Sequence, residues 1–142
     1  MLKQAQTEWV IATSGPGCHA LDDRVKAWLS ELGAGDGLVH LFCCHSSASL
    51  VIQENADPDV QRDLLDALDR LAPRDPRLYR HGTEGPDDMP AHIKTMLTQT
   101  HLAIPVRAGA LLLGTWQGLY LLEHRDRGHR RRVVGHYLGE IA

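Results

Sequence analysis

The chain alternates short apolar runs with two stretches of helical periodicity. Residues 7–13 are β-branched and aromatic, which predicts a strand ended by Ser14-Gly15-Pro16-Gly17. Leu21, Val25, Trp28, Leu29 and Leu32 recur at helical spacing, which predicts a helix stopped by Gly33. Residues 34–37 hold two glycines and an aspartate and predict a turn. Residues 38–45 form a nearly continuous apolar run, the pattern of a central strand buried on both faces. After four small residues, Leu50-Val51-Ile52 predicts a second short strand.

Asp57-Pro58 has the pattern of an N-cap followed by proline in the first turn. Val60, Leu64, Leu68 and Leu71 continue one apolar stripe behind it, and Pro73 closes that helix. Residues 74–90 are polar and rich in Pro and Gly, a loop long enough to suggest function. Pro90 can open a shorter helix with Ile93, Met96 and Leu97 on one face. The last third predicts strands at 102–106, 111–116, 119–122 and 132–138, separated by short turns. Strands and helices are partly segregated, which predicts one α+β domain over residues 1–142 with a mostly antiparallel sheet and two or three helices.

Composition narrows the classes. A net charge of -3 makes no case for a nucleic-acid or membrane partner. The apolar runs fall far short of the ~20 residues that span a bilayer. The first residues lead straight into a strand pattern, so no signal peptide is expected. Cys18, Cys43 and Cys44 are odd in number, two are adjacent and none forms a CxxC pair, which fits a reducing cytoplasm. Nine histidines are an excess that permits a metal or acid–base site.

The densest candidate chemistry lies in residues 81–92, which hold His81, Glu84, Asp87, Asp88 and His92 among glycines and prolines. A turn needs the glycines and prolines but not the histidines and carboxylates. His45, at the end of the apolar run, can join His81 and His92 in a three-imidazole set with an open position for a divalent metal, zinc or magnesium. The carboxylates then serve as ligand, orienter or base. Ser47, Ser49 and Glu54 form a neighbouring group, although Asp57 beyond them is fully accounted for as a cap. In Gly114-Thr115-Trp116-Gln117-Gly118 the tryptophan can stack on a flat ring, or the segment is simply a hairpin with a core aromatic. Arg130-Arg131-Arg132 suits phosphate, or equally a charged edge strand.

Taken together, these motifs resemble the YjbQ family of secondary thiamine-phosphate synthases. The resemblance is carried by residues 45–50, 54–58, Asp63, His81, residues 85–94, 114–118, Glu123 and Arg131-Arg132, and it spans nearly the whole chain. It implies a YjbQ-like fold, a homotrimer with the polar cleft near the subunit interface, and a metal and anion pocket lined by His45, His81 and His92. It also implies that a pyrimidine-methyl diphosphate is joined to a thiazole phosphate with loss of pyrophosphate. In that reading His45, Glu54, Asp87, Asp88 and His92 carry catalysis. Ser47, Ser49, Lys94, Thr115, Trp116, Gln117, Arg131 and Arg132 bind the phosphorylated substrate. Competing readings are a metal-dependent hydrolase and a trimeric module that binds a small phosphorylated metabolite without turnover.

Overall fold

A computed structural model describes all residues, 1–142. Five strands, β1 (Lys3–Ala12), β8 (Arg130–Ile141), β3 (Ala34–Cys43), β5 (His101–Arg107) and β6 (Ala110–Leu111), form one sheet in that order. Three more, β2 (Gly17–Ala20), β7 (Gln117–Glu123) and β4 (Ala48–Glu54), form a second. Every pairing is antiparallel. The chain is therefore α+β, as its pattern predicts.

The two sheets share one core. Val39, Leu41, Ile104 and Val133 from the larger sheet pack with Leu50, Leu119 and Leu121 from the smaller, and Val25, Trp28 and Leu29 of helix α1 (Asp22–Leu32) complete it. Period-two alternation decides which face of each strand enters this core. β5 alternates exposed and buried along its whole length. β3 does the same from Val39 onward, with His40 and Phe42 exposed between buried Val39, Leu41 and Cys43. The expectation of a strand buried on both faces is therefore corrected: no element covers the outer face of the larger sheet.

The helices follow from local signals. Gly33 takes φ 63° and ends α1, a left-handed conformation that glycine adopts without strain. The Asp57 side chain accepts from the Asp59 N–H at 2.9 Å and caps α2 (Pro58–Leu71). No residue of α2 is buried, and its leucine stripe lies over the smaller sheet around a cavity of about 240 Å³ that Val51, Leu65, Leu68 and Leu122 help to line. α3 (Asp88–Leu97) starts two residues earlier than Pro90 suggests.

Three further expectations fail locally. Residues 34–37 open β3 with a register shift instead of turning. Residues 112–116 are not a strand. The four-residue β2 has no alternation to mark it, and it exists because the edge of β7 pairs with it. The loop before α3 contains one turn of 3-10 helix, Pro76–Leu78.

Candidate metal centre

The start of α3 sets the site. Asp88 and His92 are four residues apart on the helix, so both side chains lie on one face. The preceding loop brings His81 to the same face. Gly85 allows the turn with φ 107°, and its carbonyl accepts the Asp88 N–H. Arg74 pairs with Asp126, and the Arg125 Nη2 donates to the Glu84 carbonyl at 2.9 Å, so the loop is tied to the end of β7.

One nitrogen from each of His81 and His92 and one oxygen of Asp88 lie within 4.8 Å of one another. Asp88 Oδ2 is 2.5 Å from His81 Nε2 and 3.3 Å from His92 Nε2. The two rings meet edge to face, with centroids 5.6 Å apart. The Asp88 side chain is only 3% exposed, whereas His81 and His92 keep 42% and 33%. The group is thus anchored on a buried carboxylate and open on its imidazole side.

A second layer fixes these atoms. The His92 Nδ1 donates to the Ser46 carbonyl at 2.9 Å, which leaves Nε2 facing Asp88. Arg125 donates through Nη1 to Asp88 Oδ1 at 2.9 Å and through Nε to Asp87 Oδ2 at 2.8 Å. Asp87 Oδ2 also accepts the Asp126 N–H at 2.9 Å. Burial alone would raise the Asp87 pKa, but the Arg125 and Asp126 donors outweigh it and hold the group down to about 2. Asp88 is likewise held below the usual carboxylate range: burial opposes ionisation, and the His81 and Glu84 bonds with the His92 and Arg125 charges overcome it. Asp87 therefore grips the arginine that orients Asp88, and of the two aspartates only Asp88 faces the histidines.

The remaining candidates are dispersed. The His45 Nε2 accepts the Arg132 backbone N–H at 2.7 Å, so its ring points toward β8 and the three-imidazole set is not assembled in this chain. Burial, then the Arg131 charge, lowers the His45 pKa. Arg131 spends its guanidinium on buried Glu123 and on the Ser47 carbonyl and hydroxyl, so neither Arg131 nor Ser47 is free for an anion. Ser49 is fully buried between His124 and Thr98. Lys94 is buried in an ion pair with Asp69 of α2. Arg132 is half exposed beside Glu8.

Glu54, Thr115, Trp116 and Gln117 lie elsewhere. Glu54 pairs with Gln117 at one end of the β4–β7 ladder, and Ala48 with Glu123 at the other. Six residue steps separate these ends, roughly 20 Å at strand rise. Glu54 accepts the Asp57 N–H there, and Trp116 is 64% exposed. Sequence reasoning missed Arg125, which it left in a turn. The only hint was the Asp87-Asp88 pair, since two adjacent buried carboxylates require a cation.

The comparisons with known proteins agree on the family. The model of the family described as UPF0047 protein YjbQ-like matches residues 6–140. A UPF0047 protein of Synechocystis is 50% identical, with 98% of this chain and 95% of the relative covered. UPF0047 protein YjbQ of Salmonella typhimurium is 43% identical, covering 87% of this chain and 90% of that one. A solved structure from Clostridium acetobutylicum, described as an uncharacterized conserved protein of the yjbq/upf0047 family, is 37% identical with a TM-score of 0.81, over 96% of this chain and 99% of that one. A Sulfolobus solfataricus protein described as of unknown function has a TM-score of 0.90 at 23% identity, over 99% and 100% of the two chains, and shows the fold alone.

These descriptions overturn the activity that the resemblance implied. Relatives this similar are described without thiamine-phosphate synthesis, a transferase reaction or zinc, so those assignments are withdrawn. No helix is long and apolar enough to cross a membrane. What the match over residues 6–140 establishes is membership: the chain belongs to the UPF0047 YjbQ-like family.

Proposed function

We propose that His81, Asp88 and His92 hold a divalent metal ion, and that the chain performs metal-dependent chemistry on a small substrate that ligates through oxygen. One observation carries this reading. The Ser46 carbonyl can only accept, so His92 Nδ1 bears a proton and Nε2 is the ring nitrogen turned to Asp88 Oδ2 at 3.3 Å. That approach of Nε2 to a carboxylate oxygen favours positive charge between them, and a metal ion there also reaches His81. Two imidazoles with one carboxylate favour a transition ion over magnesium, whose preferred donors are all oxygen.

When bound, such an ion polarises a ligated oxygen and stabilises negative charge that develops on it. The chain's own residues set the rest. Arg125 turns Asp88 so that one oxygen faces the histidines, and the Ser46 carbonyl fixes the His92 tautomer. Glu84, with its side chain 63% exposed and 3.5 Å from His81, is placed to move a proton on the open side.

The trimer implied by the resemblance belongs to this reading. Val10, Phe42 and Leu138 are 40%, 50% and 42% exposed on the uncovered sheet face, which supports burial between copies. Three free cysteines support a reducing, cytoplasmic setting. The test is direct metal analysis of protein purified without chelator, followed by Co²⁺ titration of wild type and Asp88→Ala. Stoichiometric binding that falls about 100-fold or more in the variant is expected, since a charged ligand is lost. Equal binding by both proteins, or none by either, overturns the proposal.

A further inference from the structure

A cavity of about 330 Å³ lies beside the proposed centre and shares one residue with it, His81. Met89, which follows Asp88, forms another part of its wall. The rest of the lining is apolar or lacks a side chain: the rings of Pro76, Tyr79 and Pro86, and the backbones of Gly82 and Gly85. The Tyr79 hydroxyl already donates to the Pro73 carbonyl at 2.6 Å, so His81 is the one lining side chain with a donor left for a ligand. The apolar cavity under α2 shares no residue with the centre.

We infer that this cavity is a binding slot for the uncharged, ring-bearing part of a small ligand whose oxygen-bearing end reaches the proposed metal past His81. Volume sets the size of the occupant. A cavity of about 150 Å³ accepts benzene, so this one accommodates a single ring with a short substituent and excludes a dinucleotide. Chemistry sets its character. Proline and tyrosine rings and a thioether offer flat, polarisable faces without charge, which favour a planar apolar group. Gly82 is the point of control. Its φ lies outside the left-handed region, and an added Cβ meets nothing within 4 Å, so this wall of the cavity takes a larger residue without backbone strain. Gly85, at φ 107°, has no such freedom.

The link to the metal rests on the proposed function, whereas the slot itself does not. The experiment separates them with two probes, benzyl alcohol and benzoate, followed by NMR shifts of the Met89 methyl in chelator-treated and Co²⁺-free protein and, for benzoate, by the Co²⁺ absorption spectrum of loaded protein. Benzyl alcohol is expected to bind metal-free protein with a Kd on the order of 1 mM, as suits a fragment of its size. Gly82→Leu is expected to weaken it about tenfold or more by filling the space, and Gly82→Ala by less. Metal loading is expected to tighten benzoate but not benzyl alcohol, with acetate binding the loaded protein equally in wild type and Gly82→Leu. Thermal melting checks that each variant is folded. Absence of benzyl alcohol binding, or binding unchanged in folded Gly82→Leu, overturns the slot. If the slot binds and the metal leaves benzoate unaffected, the link to the centre is overturned and the slot stands alone.

Discussion

Glu123 and Asp88 are buried carboxylates, each gripped by an arginine, yet their surroundings differ in one respect. Glu123 is saturated. Its Oε1 accepts from Thr13 at 2.6 Å and from Arg131 Nε at 2.8 Å, and its Oε2 from Arg131 Nη2 at 2.5 Å and the Arg125 N–H at 3.1 Å. Those bonds, with the Arg131 donors foremost, hold its pKa down against burial. Asp88 has one oxygen on Arg125, and the other faces two imidazoles, one of which has its Nδ1–H committed to the Ser46 carbonyl. A saturated buried pair finishes a scaffold. A buried carboxylate that turns one oxygen to two partly exposed imidazoles is the one that supports the metal reading.

The largest expected effect tests the scaffold half of this contrast. Glu123→Ala leaves the Arg131 guanidinium, 4% exposed, buried without its counter-charge. Such removal costs about 3–5 kcal/mol, so the variant is expected to unfold at much lower denaturant than wild type. Asp88→Ala, in metal-free protein, is expected to lose less, because Arg125 keeps Asp87 as its counter-charge. Comparable losses in the two variants would erase the distinction between a closed and an open carboxylate.

His124 provides the next test, since it belongs to the closed region. Burial, with help from the Lys94 and Arg131 charges, lowers its pKa from 6.5 to about 4, and its Nε2 is 2.8 Å from the Ser49 hydroxyl. As pH falls below 6.5 the unfolded chain takes up this proton before the folded one. The neutral side chain's contribution is therefore complete above 6.5 and is lost between 6.5 and about 4, amounting to about 3 kcal/mol. Denaturation curves of wild type and His124→Gln between pH 7 and pH 4 should diverge by about that amount. Parallel curves would mean that His124 does not stay neutral in the fold.

How much of this was legible beforehand divides along the same line. Residues 81–92 were conspicuous because one short segment concentrates groups that a turn does not require. The Asp57 cap and the Gly33 stop were legible because their partners lie within a few residues. The His45 ring was misassigned because its partner, the Arg132 N–H, is 87 residues away across the sheet. Glu54 and Trp116 stood among the candidates although the β4–β7 register puts them at the far end of the ladder. Arg125 was missed for the same reason: its carboxylates lie 37 and 38 residues earlier, and only the tertiary fold selects it from the neighbouring arginines. Local composition marks where chemistry gathers, whereas long-range register decides which residues complete it.

Arg125 is where the two regions meet, because its backbone N–H serves Glu123 while its side chain serves Asp87 and Asp88. Arg125→Lys keeps a positive charge in place and the backbone donor untouched, but a single ammonium cannot span two carboxylates and the Glu84 carbonyl as the guanidinium fork does. If Arg125 only neutralises the Asp pair, lysine suffices and Co²⁺ affinity is unchanged. If it orients Asp88, affinity falls about 10–100-fold and the Co²⁺ absorption bands shift, as loss of an orienting partner behind a ligand produces. Arg125→Gln adds the charge to what is lost. The orienting role therefore requires that lysine fail nearly as badly as glutamine while the melting temperature of the lysine variant stays close to that of wild type. A lysine variant with wild-type affinity would reduce Arg125 to a counter-ion and place Asp88 orientation on the α3 backbone.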